Sequence, residues 1–138
     1  MNEEDMLRRF GAARVARLAT VDDQLHPHLV PLVFALDGHR VFSAVDTKPK
    51  RTQQLKRLRN IASHQMVSLL VDHYEDDWTR LWWVRADGTA GIVTEESHRR
   101  RGLQLLSTKY PQYEEDPPPG PMIIVEIDRL SGWSAEAG

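Results

Sequence analysis

A short basic segment, Thr47–Arg51, is the part of the chain best suited to bind an anion. Between Thr47 and Arg59 there are six basic residues and no acidic one, and Pro49 suits the first turn of a helix that Asp46 or Thr47 could cap. Free N–H groups at the start of a helix favour phosphate, and basic side chains beside them add charge and donors. Those side chains belong to Lys48, Lys50 and Arg51. The alternative, a basic helix face exposed to solvent, is the usual meaning of such a run of charge.

Two histidines near the first predicted turn are candidate ligands. His26 and His28 lie two residues apart, so on a strand both side chains point the same way and a shared metal ion is conceivable. No third ligand has a recognisable spacing, and Pro27 between them marks the start of a strand. We therefore expect no metal site, and we expect His28 to face a ligand or a subunit interface.

Two consecutive tryptophans, Trp82 and Trp83, form the third candidate feature. On a strand they must face opposite sides, so one can fill the core while the other lines an interface or a planar ligand. The equal alternative is that both are packed, one in the core and one in a dimer contact. In either case each buried indole N–H needs a hydrogen-bond partner.

Several kinds of site are excluded by the sequence. The chain has no cysteine, which removes thiolate nucleophiles, disulfides and cysteine-bound metals. The glycine-rich phosphate loops, the nucleophile elbow and the His-Glu-x-x-His zinc motif are all absent from it. The acidic tract Asp72–Asp77 is expected to be an exposed loop, so the catalytic residues remain unknown. If the protein is an enzyme, its chemistry comes from a bound cofactor.

The charge balance argues against a nucleic-acid or membrane partner. A formal net charge of −2 provides no field that would recruit nucleic acid or an anionic membrane. No run of about 18 apolar residues is present, and the acidic start, Met1–Asp5, is unlike a signal peptide. We expect a cytoplasmic protein that binds neither nucleic acid nor a membrane.

The predicted elements run in the order helix, three strands, helix, two strands, helix, strand. Apolar alternation and compact apolar runs predict the strands Arg14–Val21, His28–Leu36, Arg40–Val45, Met66–Val71, Leu81–Ala86 and Met122–Leu130. Helical spacing predicts helices over Met1–Gly11, Pro49–Ala62 and Glu95–Tyr110. The proline-rich connector Pro117–Pro121 is too near the end to precede a second domain. We expect one α+β domain, residues 1–138, built on a small barrel of antiparallel strands.

Read together, these segments resemble the pyridoxamine 5′-phosphate oxidase-like FMN-binding split-barrel superfamily. Within it they are most similar to the actinobacterial branch of small coenzyme F-420 (deazaflavin)-dependent oxidoreductases. The motifs are weak one by one, but their order and spacing carry the likeness over nearly the whole chain. They are Ala16–Val21, His26–Pro31, Val41–Ser43, Lys48–Asn60, Val67–Leu70 and Gly132–Trp133.

The resemblance implies a six-stranded antiparallel split β-barrel with flanking helices, forming a homodimer with two equivalent cofactor sites at the subunit interface. Four consecutive residues would run past the flavin or deazaflavin ring, partly through backbone contacts: His28, Leu29, Val30 and Pro31. Ser43 and Ala44 would lie beside the ring and the ribityl chain. Lys50 and Arg51 match the family's basic phosphate pair, with Lys48 close enough to help. Trp83 would approach the site from the partner chain.

The implied activity is hydride transfer between reduced coenzyme F-420 and a small organic acceptor. An FMN-dependent oxidase or reductase is the alternative, because both cofactors carry a phosphate at the same place. A non-catalytic carrier or sensor of a deazaflavin or haem is the third possibility, and haem would need an axial ligand such as His28 or His73. True pyridoxamine 5′-phosphate oxidase activity is not expected, since those enzymes end in an arginine- and histidine-bearing segment where this chain has Ser131–Ala135.

Overall fold

A computed structural model describes residues 1–45 and 51–136 of the chain, the first five residues of the second range by their backbone alone. Its strands are β1 (Ala16–Val21), β2 (Pro27–Leu32), β3 (Ala35–Asp37), β4 (Arg40–Ala44), β5 (Met66–His73), β6 (Trp82–Val93) and β7 (Met122–Ser134). They form one antiparallel sheet in the order β2-β1-β5-β6-β7-β4-β3. The predicted α+β class with an antiparallel sheet is therefore confirmed.

The sheet has seven strands, so the predicted count of six is wrong. The single predicted strand His28–Leu36 is divided, because β2 pairs with β1 whereas β3 pairs with β4. The division falls at Val33 and Phe34, which belong to neither strand. The alternation of apolar and polar residues indicates which side chains are buried. It does not show that the chain pairs with β1 before Val33 and with β4 after Phe34.

The described residues form four helices, α1 (Glu3–Ala12), α2 (Arg51–Ser63), α3 (Glu96–Lys109) and α4 (Pro111–Glu115), and a 3₁₀ turn spans Trp78–Arg80. Helices α1 and α3 match the predicted helices to within two residues, α2 ends within one residue of its predicted end, and α4 was not predicted. No helix within the described ranges is long and apolar enough to cross a membrane. The helix start predicted at Pro49 lies outside the described residues.

The short link between β2 and β3 closes the sheet. These strands lie at opposite edges of the strand order, yet only Val33 and Phe34 separate them along the chain. The sheet must therefore curl until its edges meet. At the meeting point Ser43 Oγ donates to the Val33 carbonyl at 2.8 Å. The Tyr110 hydroxyl accepts from the Phe34 N–H at 3.2 Å and lies 2.9 Å from the Phe34 carbonyl oxygen.

The hydrophobic core fills the inside of this curled sheet. Alternate residues of each long strand point into it, as Val84, Ala86 and Ala90 do on β6. Helix α1 covers one end, where the Phe10 and Phe34 rings meet edge to face with centroids 5.1 Å apart. The opposite faces of the same strands point outward, and these outward residues form the surface described below.

Strand β6 continues beyond Ala86, where the predicted strand ends, and reaches Val93. Its pairing with β7 shifts register between Asp87 and Gly88, so there is an irregularity inside this 12-residue strand. Gly88 is needed because β7 passes very close: a Cβ built at Gly88 would lie 2.3 Å from the Glu126 carbonyl oxygen. No side chain fits at that distance without moving the backbone of β7.

This close approach predicts a large cost for one added methyl group. We expect Gly88→Ala to lower the free energy of unfolding by about 2 kcal/mol or more, through overpacking. Gly91→Ala on the same strand is the matched control, because nothing lies within 4 Å of a Cβ built there. The control should stay within about 0.5 kcal/mol of the parent in urea unfolding. Equal stability of the two variants would contradict the close approach.

A half-buried lysine near the closure point predicts a pH-dependent stability. Lys109 Nζ donates to the Ala13 carbonyl at 2.7 Å and lies 3.9 Å from the centroid of the Phe34 ring. Burial lowers the pKa of Lys109 from about 10.5 to about 8, and the positive charge of Arg14 adds to this lowering. Between these two values the unfolded chain keeps a proton that the folded chain has lost.

The free energy of unfolding should therefore rise as the pH is raised from 8 towards 10. We expect this group to contribute on the order of 1 kcal/mol, since its partial exposure weakens the effect. In Lys109→Met that part of the pH slope should vanish, whatever happens to the absolute stability. Urea unfolding of both proteins at several pH values measures the difference in slope, and identical slopes would contradict the prediction.

Candidate functional site

A buried polar contact fixes helix α2 against strand β1. Asn60 Nδ2 donates to Thr20 Oγ1 at 3.1 Å, and both side chains are almost fully buried. Ile61, next along the helix, belongs to the hydrophobic core. Thr20 is the cross-strand neighbour of His28 on β2. The contact therefore places the basic side chains of α2 near His28.

His28, Lys56 and Arg57 form what we call the cationic cluster. Burial lowers the pKa of His28 below its ordinary value, and the positive charges of Lys56 and then Arg57 lower it further. Burial also lowers the pKa of the Arg57 guanidinium. Positive groups that are gathered together and partly removed from water repel each other, so this part of the surface favours an anion.

Two nitrogen atoms of the cationic cluster lack hydrogen-bond partners. His28 Nδ1 and Arg57 Nε are both buried, and neither has a partner among the described residues. An unsatisfied buried polar group costs about 1–3 kcal/mol, so such groups normally have a partner. A phosphate would supply oxygen acceptors and the missing negative charge together. The residues present therefore fit a phosphorylated ligand.

Lys56 and Arg57 were not predicted as site residues, although the signal was available. Both belong to the run of six basic residues between Thr47 and Arg59. The sequence shows the charges of this run, but it does not show which side chains of a helix face the sheet. That information comes from the Asn60–Thr20 contact.

The predicted phosphate residues lie mostly beyond the described part of the chain. Lys48 and Lys50 are outside the described residues, and Arg51 is the first residue of α2, described by its backbone alone. Their contact with a phosphate remains a prediction. The structure shows that helix α2, which begins at Arg51, places Lys56 and Arg57 near His28.

The four predicted ring-contact residues of β2 divide between its two faces. The side chains of His28 and Val30 are partly buried, and Val30 packs against the core. Leu29 and Pro31 point outward, and Leu29 is 67% exposed. Their strand is at one end of the strand order.

Ser43 and Ala44 lie on another strand and are buried. Ser43 is 3% exposed, and its hydroxyl donates to the Val33 carbonyl. Ala44 packs in a second apolar cluster with Leu106 and Met122. Their strand, β4, pairs with β3 and β7 and not with β2. The structure thus gives these two side chains packing roles, and their contact with a cofactor remains a prediction.

An outward-facing cavity of about 630 Å³ joins Leu29 to Trp83. We call it the outer cavity; it lies on the outward faces of β2, β1, β5 and β6, and it also includes Leu70 and Tyr74. Trp82 faces the other way, packs against the core and lies under the Arg9 guanidinium at 5.2 Å. The two tryptophans thus face opposite sides of β6.

Within the described ranges there is no group of three or more residues able to hold a metal ion. His26 Nδ1 lies 3.4 Å from Asp22 Oδ2 at the β1–β2 turn, and its side chain is mostly exposed. Asp22 Oδ1 accepts from the backbone N–H groups of Gln24 and His26, each at 2.9 Å. His26 and Asp22 therefore organise the turn, whereas His28 belongs to the cationic cluster.

Solved structures with the same fold share little sequence with this chain. A conserved hypothetical protein from Mycobacterium tuberculosis superimposes with a TM-score of 0.80 at 19% identity, covering 98% of this chain and 86% of its own. An FAD-binding protein from Mesorhizobium loti has a TM-score of 0.74 at 18% identity, covering 96% and 94%. HutZ, a haem storage protein from Vibrio cholerae, has a TM-score of 0.71 at 14% identity, covering 96% and 93%.

The family assignment comes from the sequence itself. No curated protein matches the chain. The family model described as pyridoxamine 5′-phosphate oxidase matches residues 3–134, which include every helix and strand described above. The fold agrees, since the antiparallel sheet and flanking helices match those of the three solved structures. The chain therefore belongs to the pyridoxamine 5′-phosphate oxidase family.

Proposed function

We propose that this protein is an oxidoreductase that binds coenzyme F-420 and transfers a hydride between the reduced cofactor and a small organic acceptor. The observation that carries the proposal is the pair of unpartnered buried nitrogens, His28 Nδ1 and Arg57 Nε, beside Lys56. A phosphate bound there would give both nitrogens an acceptor. A flavin-type cofactor has such a phosphate and also a planar ring that β2 can accommodate.

The cofactor phosphate would be held from two directions. Arg57 and His28 would donate to its oxygens, and Lys56 would add a second positive charge. The backbone N–H groups at the start of α2, with Lys48, Lys50 and Arg51, would complete the site as the sequence predicts. The helix dipole adds to the attraction because its positive end is at that start.

The excess of positive charge favours coenzyme F-420 over FMN. FMN carries one phosphate monoester, whereas the phosphate of coenzyme F-420 is followed by an acidic tail. Six basic residues from Thr47 to Arg59, with no acid among them, exceed what one phosphate needs. Arg59 is exposed and lines a pocket with Lys56, which Asp22 and Asp23 also line, and there it would be available to such a tail. FMN remains the alternative, because it would use the same cluster for its own phosphate.

When bound, the cofactor supplies the hydride chemistry. The protein's part is to position the ring and to exclude water from it. The backbone from His28 to Pro31 on the edge strand β2 would run along the ring, with Ser43 and Ala44 supporting it from β4. We further propose a homodimer with two such sites at the subunit interface, in which Trp83 of one protomer approaches the site of its partner.

The phosphate assignment predicts a loss of cofactor affinity in Arg57→Gln. We expect the dissociation constants of both FMN and coenzyme F-420 to rise about 10- to 100-fold, since a hydrogen bond to a charged group contributes about 1.5–3 kcal/mol. Fluorescence titration of the purified protein with each cofactor measures this. Arg59→Gln is the matched control: it should leave FMN affinity unchanged and weaken only the tailed cofactor.

Three outcomes of these titrations would contradict the proposal in different ways. Unchanged affinity in Arg57→Gln would show that the cationic cluster does not bind the cofactor phosphate. Binding of FMN alone would show that the cofactor is FMN and not coenzyme F-420. Binding of neither cofactor, with a strong haem absorption band on addition of haem, would replace the enzyme by a haem carrier.

The low pKa of His28 predicts a pH-dependent affinity. In the free protein burial and the neighbouring cations keep this imidazole neutral to a pH below its usual range. A bound phosphate would favour the protonated ring, so binding takes up a proton and the affinity increases as the pH falls. We expect His28→Gln to reduce this increase between about pH 7.5 and 5.5. The proton taken up can be measured by calorimetry in buffers of different ionisation enthalpy. Equal uptake by parent and variant would exclude His28.

A further inference from the structure

Two positive side chains, Lys109 and Arg14, lie together where helix α3 ends beside the segment that follows α1. Lys109 Nζ is 5.3 Å and Arg14 Cζ is 4.7 Å from the centroid of the Tyr110 ring. Arg14 Nη2 also donates to the Lys109 carbonyl at 2.9 Å. These contacts keep the two cations close to each other, and we call them the Lys109–Arg14 pair.

The Lys109–Arg14 pair has no carboxylate partner among the side chains that the structure describes. Every ion pair formed by those side chains involves other basic residues. Among the same side chains, Arg14 is the charged group that shifts the pKa of Lys109, and it lowers this pKa further below the value set by burial. Two neighbouring positive charges without a counter-charge favour a reaction that replaces one of them by a negative charge.

The amine of Lys109 is both reactive and fixed in position. Its pKa of about 8 means that about half of the molecules hold a neutral amine at pH 8, whereas an ordinary lysine is almost fully protonated there. A neutral lysine amine has a free lone pair and acts as a nucleophile. Nζ donates to the Ala13 carbonyl at 2.7 Å and lies 3.9 Å from the centroid of the Phe34 ring, so these contacts hold the nitrogen in place.

We propose that Lys109 is a site of reversible modification by dissolved carbon dioxide and that Arg14 binds the carbamate formed there. The Nζ lone pair forms a bond to the carbon of CO₂, one C–O π bond opens to give a carboxylate, and the nitrogen releases one proton to the solvent. The step needs no oxidant and has no other leaving group. It involves no residue of the cationic cluster and is independent of the proposed function.

Carbamate formation turns the repulsion within the Lys109–Arg14 pair into an attraction. The head group of Lys109 becomes an anion, and a guanidinium donates well to a carboxylate. The carbamate nitrogen keeps one N–H, which still has the Ala13 carbonyl as its acceptor. Lys109 is only partly buried and Arg14 is exposed, so dissolved CO₂ reaches the amine from solvent.

Carbon-13 NMR of protein labelled with nitrogen-15 lysine detects this modification directly. In carbon-13 bicarbonate at pH 8 we expect a carbamate signal that is split by the bonded nitrogen-15 nucleus. Bicarbonate gives no such splitting, and neither does a carbamate on the unlabelled terminal amine. The chain has four lysines, Lys48, Lys50, Lys56 and Lys109, so a variant must assign the signal. Lys109→Arg keeps the positive charge and should remove the signal, and Lys109→Met should do the same.

Replacing Arg14 tests its part in holding the carbamate. We expect Arg14→Gln to lower the modified fraction about 3- to 10-fold, because the counter-charge is lost. Arg14→Lys restores the charge and should recover most of the signal. Arg8→Gln is the matched control, because it removes an equal charge from α1, where Arg8 is already paired with Asp5 at 3.2 Å. The control should leave the modified fraction unchanged.

Four outcomes would overturn the inference. The parent protein gives no split signal, or the split signal persists in Lys109→Arg and belongs to another lysine. An unsplit bicarbonate signal that shifts with the parent and not with Arg14→Gln would show bound bicarbonate in place of a covalent carbamate. Equal losses in Arg14→Gln and Arg8→Gln would show an effect of net charge alone. Cofactor titrations are made without bicarbonate, so their failure is separate from failure of this inference.

Discussion

The short link between β2 and β3 is the constraint on which the rest of the structure depends. Two residues, Val33 and Phe34, join strands at opposite edges of a seven-stranded sheet. The edges must therefore meet, and the Ser43 and Tyr110 hydroxyls satisfy the backbone groups exposed where they do. Closure gives every strand an inner and an outer face. It also leaves β2 beside the helix that follows β4, because α2 packs on β1.

The cationic cluster shows how a stable fold can hold an unfavourable arrangement. Neutral His28 and positively charged Lys56 and Arg57 are close together, partly buried and incompletely hydrogen-bonded. Repulsion and desolvation both destabilise this arrangement by itself. The Asn60–Thr20 bond and the burial of Ile61 hold α2 in place despite it. A bound phosphate would remove much of the penalty, so ligand binding should stabilise the folded chain as a whole.

The sequence predicted most of the elements, whereas the predicted cofactor contacts stay predictions. Strand alternation placed Trp82 and Trp83 on opposite faces, because the two-residue period of a strand is a local property. The division of His28–Leu36 into two strands was missed because a change of pairing partner is a property of the whole sheet. The basic run from Thr47 to Arg59 was evident, but which of its members lie beside His28, namely Lys56 and Arg57, depends on how the helix packs. The six-stranded expectation failed for the same non-local reason.

Consecutive residues of one edge strand give the two candidate sites opposite chemistry. His28 faces a cluster of positive charge, whereas Leu29 faces a cavity whose arginine charges are paired. Such a contrast over a single residue arises because a strand alternates between its faces. An interior strand would have neighbours on both sides that separate the two environments. On the proposed function, a cofactor held by its phosphate on the α2 side of β2 would therefore lie next to a strand whose outward residues have the opposite chemistry.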